Sequence, residues 1–145
     1  MAGKSDYLEN KLIDFLFRGQ TFIPPATLYF ALLTAAPSDS GGGTEVTGGS
    51  YARVGITASL TSFAGTQAAA STTASTGSSG TTSNNATITF PAPTASWGLI
   101  THFAVYDAIS SGNQLYWGAL SIAKTVNNGD AAPQFLAAAL TVTED

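Results

Sequence analysis

The sequence predicts a mainly β protein, an antiparallel and jelly-roll-like β-sandwich with one N-terminal amphipathic α-helix. Three observations lead there. Short runs rich in β-branched, aromatic and aliphatic residues recur along the chain, and clusters of Gly, Pro, Ser, Asn and Asp separate them. A 3.6-residue apolar spacing occurs at the front, before the β-like runs begin. At 145 residues the chain has the size of one domain and can bury its own core, so 1–145 is read as a single unit.

Ser5 suits a helix N-cap, Leu8, Leu12, Phe15 and Leu16 follow at helical spacing, and Gly19 offers a stop, which predicts a helix over 5–18. Tyr7, Ile13 and Phe17 widen its apolar surface beyond one stripe, so the helix is expected to be covered on more than one side. Pro24 and Pro25 bar its continuation. Residues 26–34 then read as a strand apolar on both faces, hence central or sandwiched. Residues 37–43 carry turn chemistry, and 51–57 form the next strand.

From 64 to 87 the chain has no charge and no large apolar side chain, so it is expected to be a long surface loop. Residues 87–90 alternate as a half-buried strand. Residues 99–107 and 114–121 pair as a hairpin around Ser110, Ser111, Gly112 and Asn113. A turn at 127–130 precedes a last strand over 134–143, which places Leu136, Ala138, Leu140 and Val142 on one face.

Composition narrows the function. Five basic residues against nine acidic ones give a net charge of -4, which leaves no footprint for gripping phosphates, so direct nucleic-acid binding is not expected. Without cysteine there is no disulfide, thiolate metal site or cysteine nucleophile. Charges at Glu9, Lys11 and Asp14 break the apolar run a signal peptide needs, and no run reaches the length of a membrane helix. A soluble protein made in the cytoplasm is the expectation. The weakly charged surface favours life in an assembly.

The stretch GTEVTGGS at 43–50 misses the phosphate-loop pattern by its lysine, since Gly49 stands in that place. A phosphate loop must also open a helix. Here a strand pattern follows, so the stretch is read as a glycine-rich connection that carries Tyr51 and Arg53 to a surface. His102, the single histidine, lies mid-strand with no acid before Asp107 and is read as structural.

A hydrolase would need His102, Asp107 and Asp130 to converge, and nothing in their spacing requires it. Asp107 and Asp130 stand beside turns, where aspartate commonly bonds its own backbone, and no calcium-loop pattern is present. No catalytic residue, cofactor or metal is predicted. Aromatic residues in the strands are read as core; exposure of Tyr51, Trp97 and Tyr106 together would instead favour sugar stacking. Arg53 admits two readings, a rim arginine with a solvated head or an arginine paired with Glu45 or Asp107.

The blocks YLENKLIDFLFRG, PPATLYFALLTAAPSD, GTEVTGGSYARV, ITFPAPTASWGLITHFAVYDA, LYWGALSIAKTVNNGD and FLAAALTVTED resemble a family of small virion proteins from tailed bacteriophages. The resemblance spans nearly the whole chain. The 64–85 tract departs from it, being shorter in similar sequences. The resemblance implies a structural, non-enzymatic place on the virion, whether as head decoration, minor structural protein or tail fibre.

Two placements follow. In the first the chain is a capsid cement protein, oligomeric and with a trimer among the options, that clamps subunits of the major capsid protein. In the second it is a tail, baseplate or fibre component that contacts other tail proteins or the host surface. Leu8, Phe15 and Phe17 on the helix, and Glu45, Tyr51, Arg53 and Trp97 around the glycine-rich connection, are the candidate subunit contacts.

Overall fold

The computed structural model describes residues 2–144. Its elements in chain order are β1 (Ala2–Lys4), α1 (Asp6–Phe17), β2 (Thr27–Ala35), β3 (Thr44–Glu45), β4 (Val54–Thr57), β5 (Thr81–Ser83), β6 (Ile88–Thr89), β7 (Gly98–Tyr106), β8 (Gln114–Val126), β9 (Gln134–Phe135) and β10 (Thr141–Thr143). The fold is mainly β and antiparallel with one helix near the N-terminus, consistent with the expected sandwich. One layer is a six-stranded sheet ordered β1-β8-β7-β2-β3, with β4 also paired to β2. The other layer consists of two short ribbons, β5–β10 and β6–β9.

Strand β2 is central, as its two apolar faces require, and the sheet's inner side carries most of the core. Phe30 and Leu32 of β2, with Phe103 and Val105 of β7, pack there against Ile88, Phe90 and Leu140 from the ribbon side. On the other side Ala31, Leu33 and Ala104 are fully buried, and Trp117 lies over them with its indole N–H donating to Asp39 Oδ1 at 3.3 Å. Strands β1 and β10 meet at the sheet edge. Lys4 Nζ pairs with Glu144 Oε2 at 2.7 Å, and the Tyr116 hydroxyl donates to Glu144 as well.

The helix starts as expected. The Ser5 hydroxyl accepts from the Leu8 N–H and donates to the Gln114 carbonyl, and Gly19 at φ 65° ends the last turn just beyond the Arg18 cap. Its burial is not as expected. Leu8 is the one buried residue of α1, and Ile13, Phe15, Leu16 and Phe17 face solvent. The helix meets β8, and its Asp6 N–H donates to the Asp39 carbonyl at 2.8 Å, so one narrow stripe near its start is covered.

Three further differences share one cause, tertiary contact overriding local pattern. The expected strand over 134–143 breaks into β9 and β10 around Ala138, whose φ of 62° no strand accommodates. The expected loop over 64–87 divides: 67–70 and 72–79 are exposed, whereas 81–83 form β5 and Asn84 is 1% exposed. The hairpin strand expected to end at 121 runs on to Val126, because Leu120–Ala123 stand opposite Thr101 alone in a wide bulge before pairing resumes at Lys124.

Candidate assembly surfaces

Glu45 and Arg53 meet across the glycine-rich connection. The Arg53 guanidinium donates through Nε to Glu45 Oε1 at 2.9 Å and through Nη2 to Oε2 at 2.7 Å, a two-pronged pairing. Its Nη1 donates to the carbonyls of Ala108 and Ser111, both at 2.8 Å, and the group lies 3.6 Å from the centre of the Tyr106 ring. Only 7% of the Arg53 side chain is exposed. The partner is Glu45 rather than Asp107, whose carboxylate accepts from the Asn113 backbone and side-chain N–H groups at 2.7 Å each.

Tyr51 completes this network from the core side. Its hydroxyl donates to Glu45 Oε1 and accepts from the Leu32 N–H, while its ring packs edge-on to Trp97 at 5.3 Å. The Trp97 indole donates to the Gly49 carbonyl at 2.9 Å. A Cβ on Gly49, which adopts φ 56°, would sit 2.9 Å from that indole nitrogen. The connection is therefore locked against the core.

Of the sequence-derived contact residues, Leu8 and Trp97 are buried within the chain's own interior, and Glu45, Tyr51 and Arg53 spend their polar groups on one another. These interactions hold loops of the same chain together. Phe15 and Phe17 remain exposed, as does Ile13. Tyr51, Trp97 and Tyr106 make no stacking platform, since Trp97 is buried and Arg53 covers Tyr106.

The tyrosines carry a pH signature. Burial pushes the Tyr51 phenol well above its ordinary range, with the Glu45 carboxylate adding to the shift, and burial does the same to Tyr116 beside Glu144. A phenol raised in the folded state contributes stability that is complete below its unfolded pKa, near 10, and is lost as pH rises through the folded value. Thermal stability is expected to start falling near pH 10, and Tyr51→Phe and Tyr116→Phe should each flatten that fall. Melting curves between neutral and strongly alkaline pH test it; an unchanged slope in both variants would refute the assignment.

His102 is half-buried, with Nδ1 hydrogen-bonded to Thr101 Oγ1 at 2.8 Å. Asp130 accepts from the Asn127 N–H at the far turn. These residues and Asp107 are each engaged locally and form no constellation. Among the described residues no group of three or more His, Asp or Glu side chains is placed to hold a metal.

Among the described residues two apolar surfaces stand out as uncovered. One is the outer face of α1, where Phe17 is 82% exposed. The other is a groove of about 610 Å³ between β8 and the β9–β10 segment, floored by Phe90, Ile100, Phe103 and Leu140. The bulge in β8 puts Ile122, 81% exposed, on its rim, and Leu136, 58% exposed, stands among the other lining residues. Sequence reading found the first through helical periodicity. It missed the second, because the bulge and the break at Ala138 are set by pairing partners far away in the chain.

A search of curated proteins finds no match. A family model described as Podophage GP4 fiber I protein gp80 matches residues 3–143.

Proposed function

The chain belongs to that podophage fiber I family and is a structural component of the virion, and on this premise we propose that it is a building subunit of a fibre, joined to its neighbours through the exposed apolar face of α1. The observation that carries the reading is the burial of α1: a helix with four large apolar residues in the open, Ile13, Phe15, Leu16 and Phe17, gains from cover that its own sheet does not supply. The neighbours are other virion proteins or further copies of this chain. In this reading the protein works by packing and performs no chemistry.

Assembly then gains apolar burial that the isolated chain lacks, at roughly 25 cal/mol per Å² less the cost of association. Leu16→Glu combined with Phe17→Glu should leave the fold intact, since both side chains are exposed, and should remove the protein from purified particles. Circular dichroism and a quantitative gel of virions measure the two halves. Normal incorporation of a folded double variant would end the proposal. Copy number separates the two placements: a small fixed number per particle fits a fibre, and copies on the scale of the capsid lattice would mean cement on the major capsid protein.

A further inference from the structure

We propose that the exposed face of α1 in one copy seats in the β8–β10 groove of a second copy, so that copies join head to tail. The proposal rests on reading α1 as an assembly surface and names what that surface meets. Its first support is the order of side chains along the helix. Asp6, Glu9, Asn10, Ile13, Leu16 and Phe17 follow at three- and four-residue steps and are all exposed, so one face is acidic toward its start and apolar toward its end. Glu9 lies about 6 Å along the axis from Ile13.

The groove offers the matching order. Its floor and its rim residue Ile122 are apolar, and Lys124, two residues further along β8, lines it with its side chain exposed. Lys124 makes no ion pair among the described residues, and neither does Lys11, which lies over the Tyr7 ring, whereas Lys4, Arg18 and Arg53 pair with Glu144, Asp14 and Glu45. A helix entering with Ile13, Leu16 and Phe17 against the floor brings Glu9 toward the one cation of the groove. Opposite charge at the edge of an apolar contact fixes its register and rejects the reversed one.

The occupant comes from another copy. No residue of α1 lines the groove of its own chain, and the Ser5 cap and buried Leu8 anchor the helix at the opposite end of β8, beside Leu115. One convex and one concave surface on a single chain make a heterologous contact, which closes into a ring or continues as a filament according to the rotation per step. Either outcome repeats one bond between identical subunits.

The test uses the full chain in solution. Glu9→Lys and Lys124→Glu should each weaken self-association about tenfold, and the two together should restore it, which loss of folding cannot mimic. Phe17→Glu leaves a copy with an intact groove, and Ile122→Glu leaves one with an intact helix face. Each alone should be monomeric by light scattering, and an equal mixture should form a one-to-one dimer and nothing larger. A wild-type chain that stays monomeric at high concentration, or a mixture that does, would overturn the proposal. If the mixture stays monomeric while Leu16→Glu with Phe17→Glu still blocks incorporation into virions, α1 remains an assembly surface and its partner is a different virion protein.

Discussion

Replacing Asn84 by alanine is expected to destabilise the fold by about 3 kcal/mol, because it strips several buried backbone groups of their partners at once. The Asn84 amide donates to the carbonyls of Ala86 and Leu136 at 2.8 Å each, and its Oδ1 accepts from the Leu140 N–H at 3.0 Å. Its backbone carbonyl accepts from the Ala138 N–H at 2.7 Å, which holds the turn between β9 and β10 in its left-handed conformation. With the side chain gone, those groups face a site that is 1% exposed in the intact protein.

Chemical unfolding followed by tryptophan fluorescence measures the loss, and faster hydrogen exchange at Leu140 would localise it. Asn84→Asp should be worse at neutral pH than in acid. The carboxylate oxygen that replaces the amide nitrogen would face the Ala86 and Leu136 carbonyls in a buried site, which outweighs the single Leu140 N–H on the other oxygen, so the folded-state pKa would be raised. The variant's stability would be greatest below the unfolded carboxyl pKa of about 4 and would fall as pH rises. A cost under about 1 kcal/mol for Asn84→Ala would show that the turn holds without its pin.

Arg53→Ala should cost about 3 kcal/mol, and a melting temperature lower by roughly 10 °C, by leaving Glu45 without its partner. The lower end of the range for buried pairs applies because 25% of the Glu45 side chain still reaches solvent. Burial by itself would lower the Arg53 pKa, but the Glu45 hydrogen bonds and charge outweigh it and raise the value, so the guanidinium stays charged. Arg53→Lys keeps the charge and loses the two-pronged geometry, the two carbonyl contacts and the stack on Tyr106, and should recover less than half of the loss.

A double-mutant cycle with Glu45→Ala isolates the pair. The two readings of Arg53 in the sequence diverge here: a rim arginine would cost under about 1 kcal/mol. Loss of the network would also free the 107–113 hairpin end, because Arg53 holds it through Ala108 and Ser111.

What could be read from the sequence was what local chemistry dictates. Ser5 and Gly19 bracket α1 because a hydroxyl satisfies free N–H groups at a helix start and a glycine accepts the left-handed turn after its end. Strand β2 announces itself through apolar residues on both faces, and the β7–β8 hairpin through its Ser-Ser-Gly-Asn loop. The contact residues were harder. Leu8 and Phe15 share one apolar stripe, seven residues apart, and only the position of β8 decides that the first is core and the second half open to solvent.

By itself, then, the sequence determined the mainly β class, the leading helix with both its ends, the central strand, the strongest hairpin and the kinship with virion proteins. The structural features follow from periodicity, capping and turn residues, which act over a few neighbours along the chain, whereas the kinship rests on the resemblance of whole sequence blocks. Only the tertiary structure decided that Glu45 rather than Asp107 pairs Arg53, that Asn84 closes the low-complexity tract onto the β9–β10 turn, and that Leu120–Ala123 bulge out to open a groove. Those contacts join residues 8 to 56 positions apart or rest on the register between strands. A local pattern specifies how a segment repeats, and the partner it finds is chosen by packing and by the need to satisfy buried polar groups.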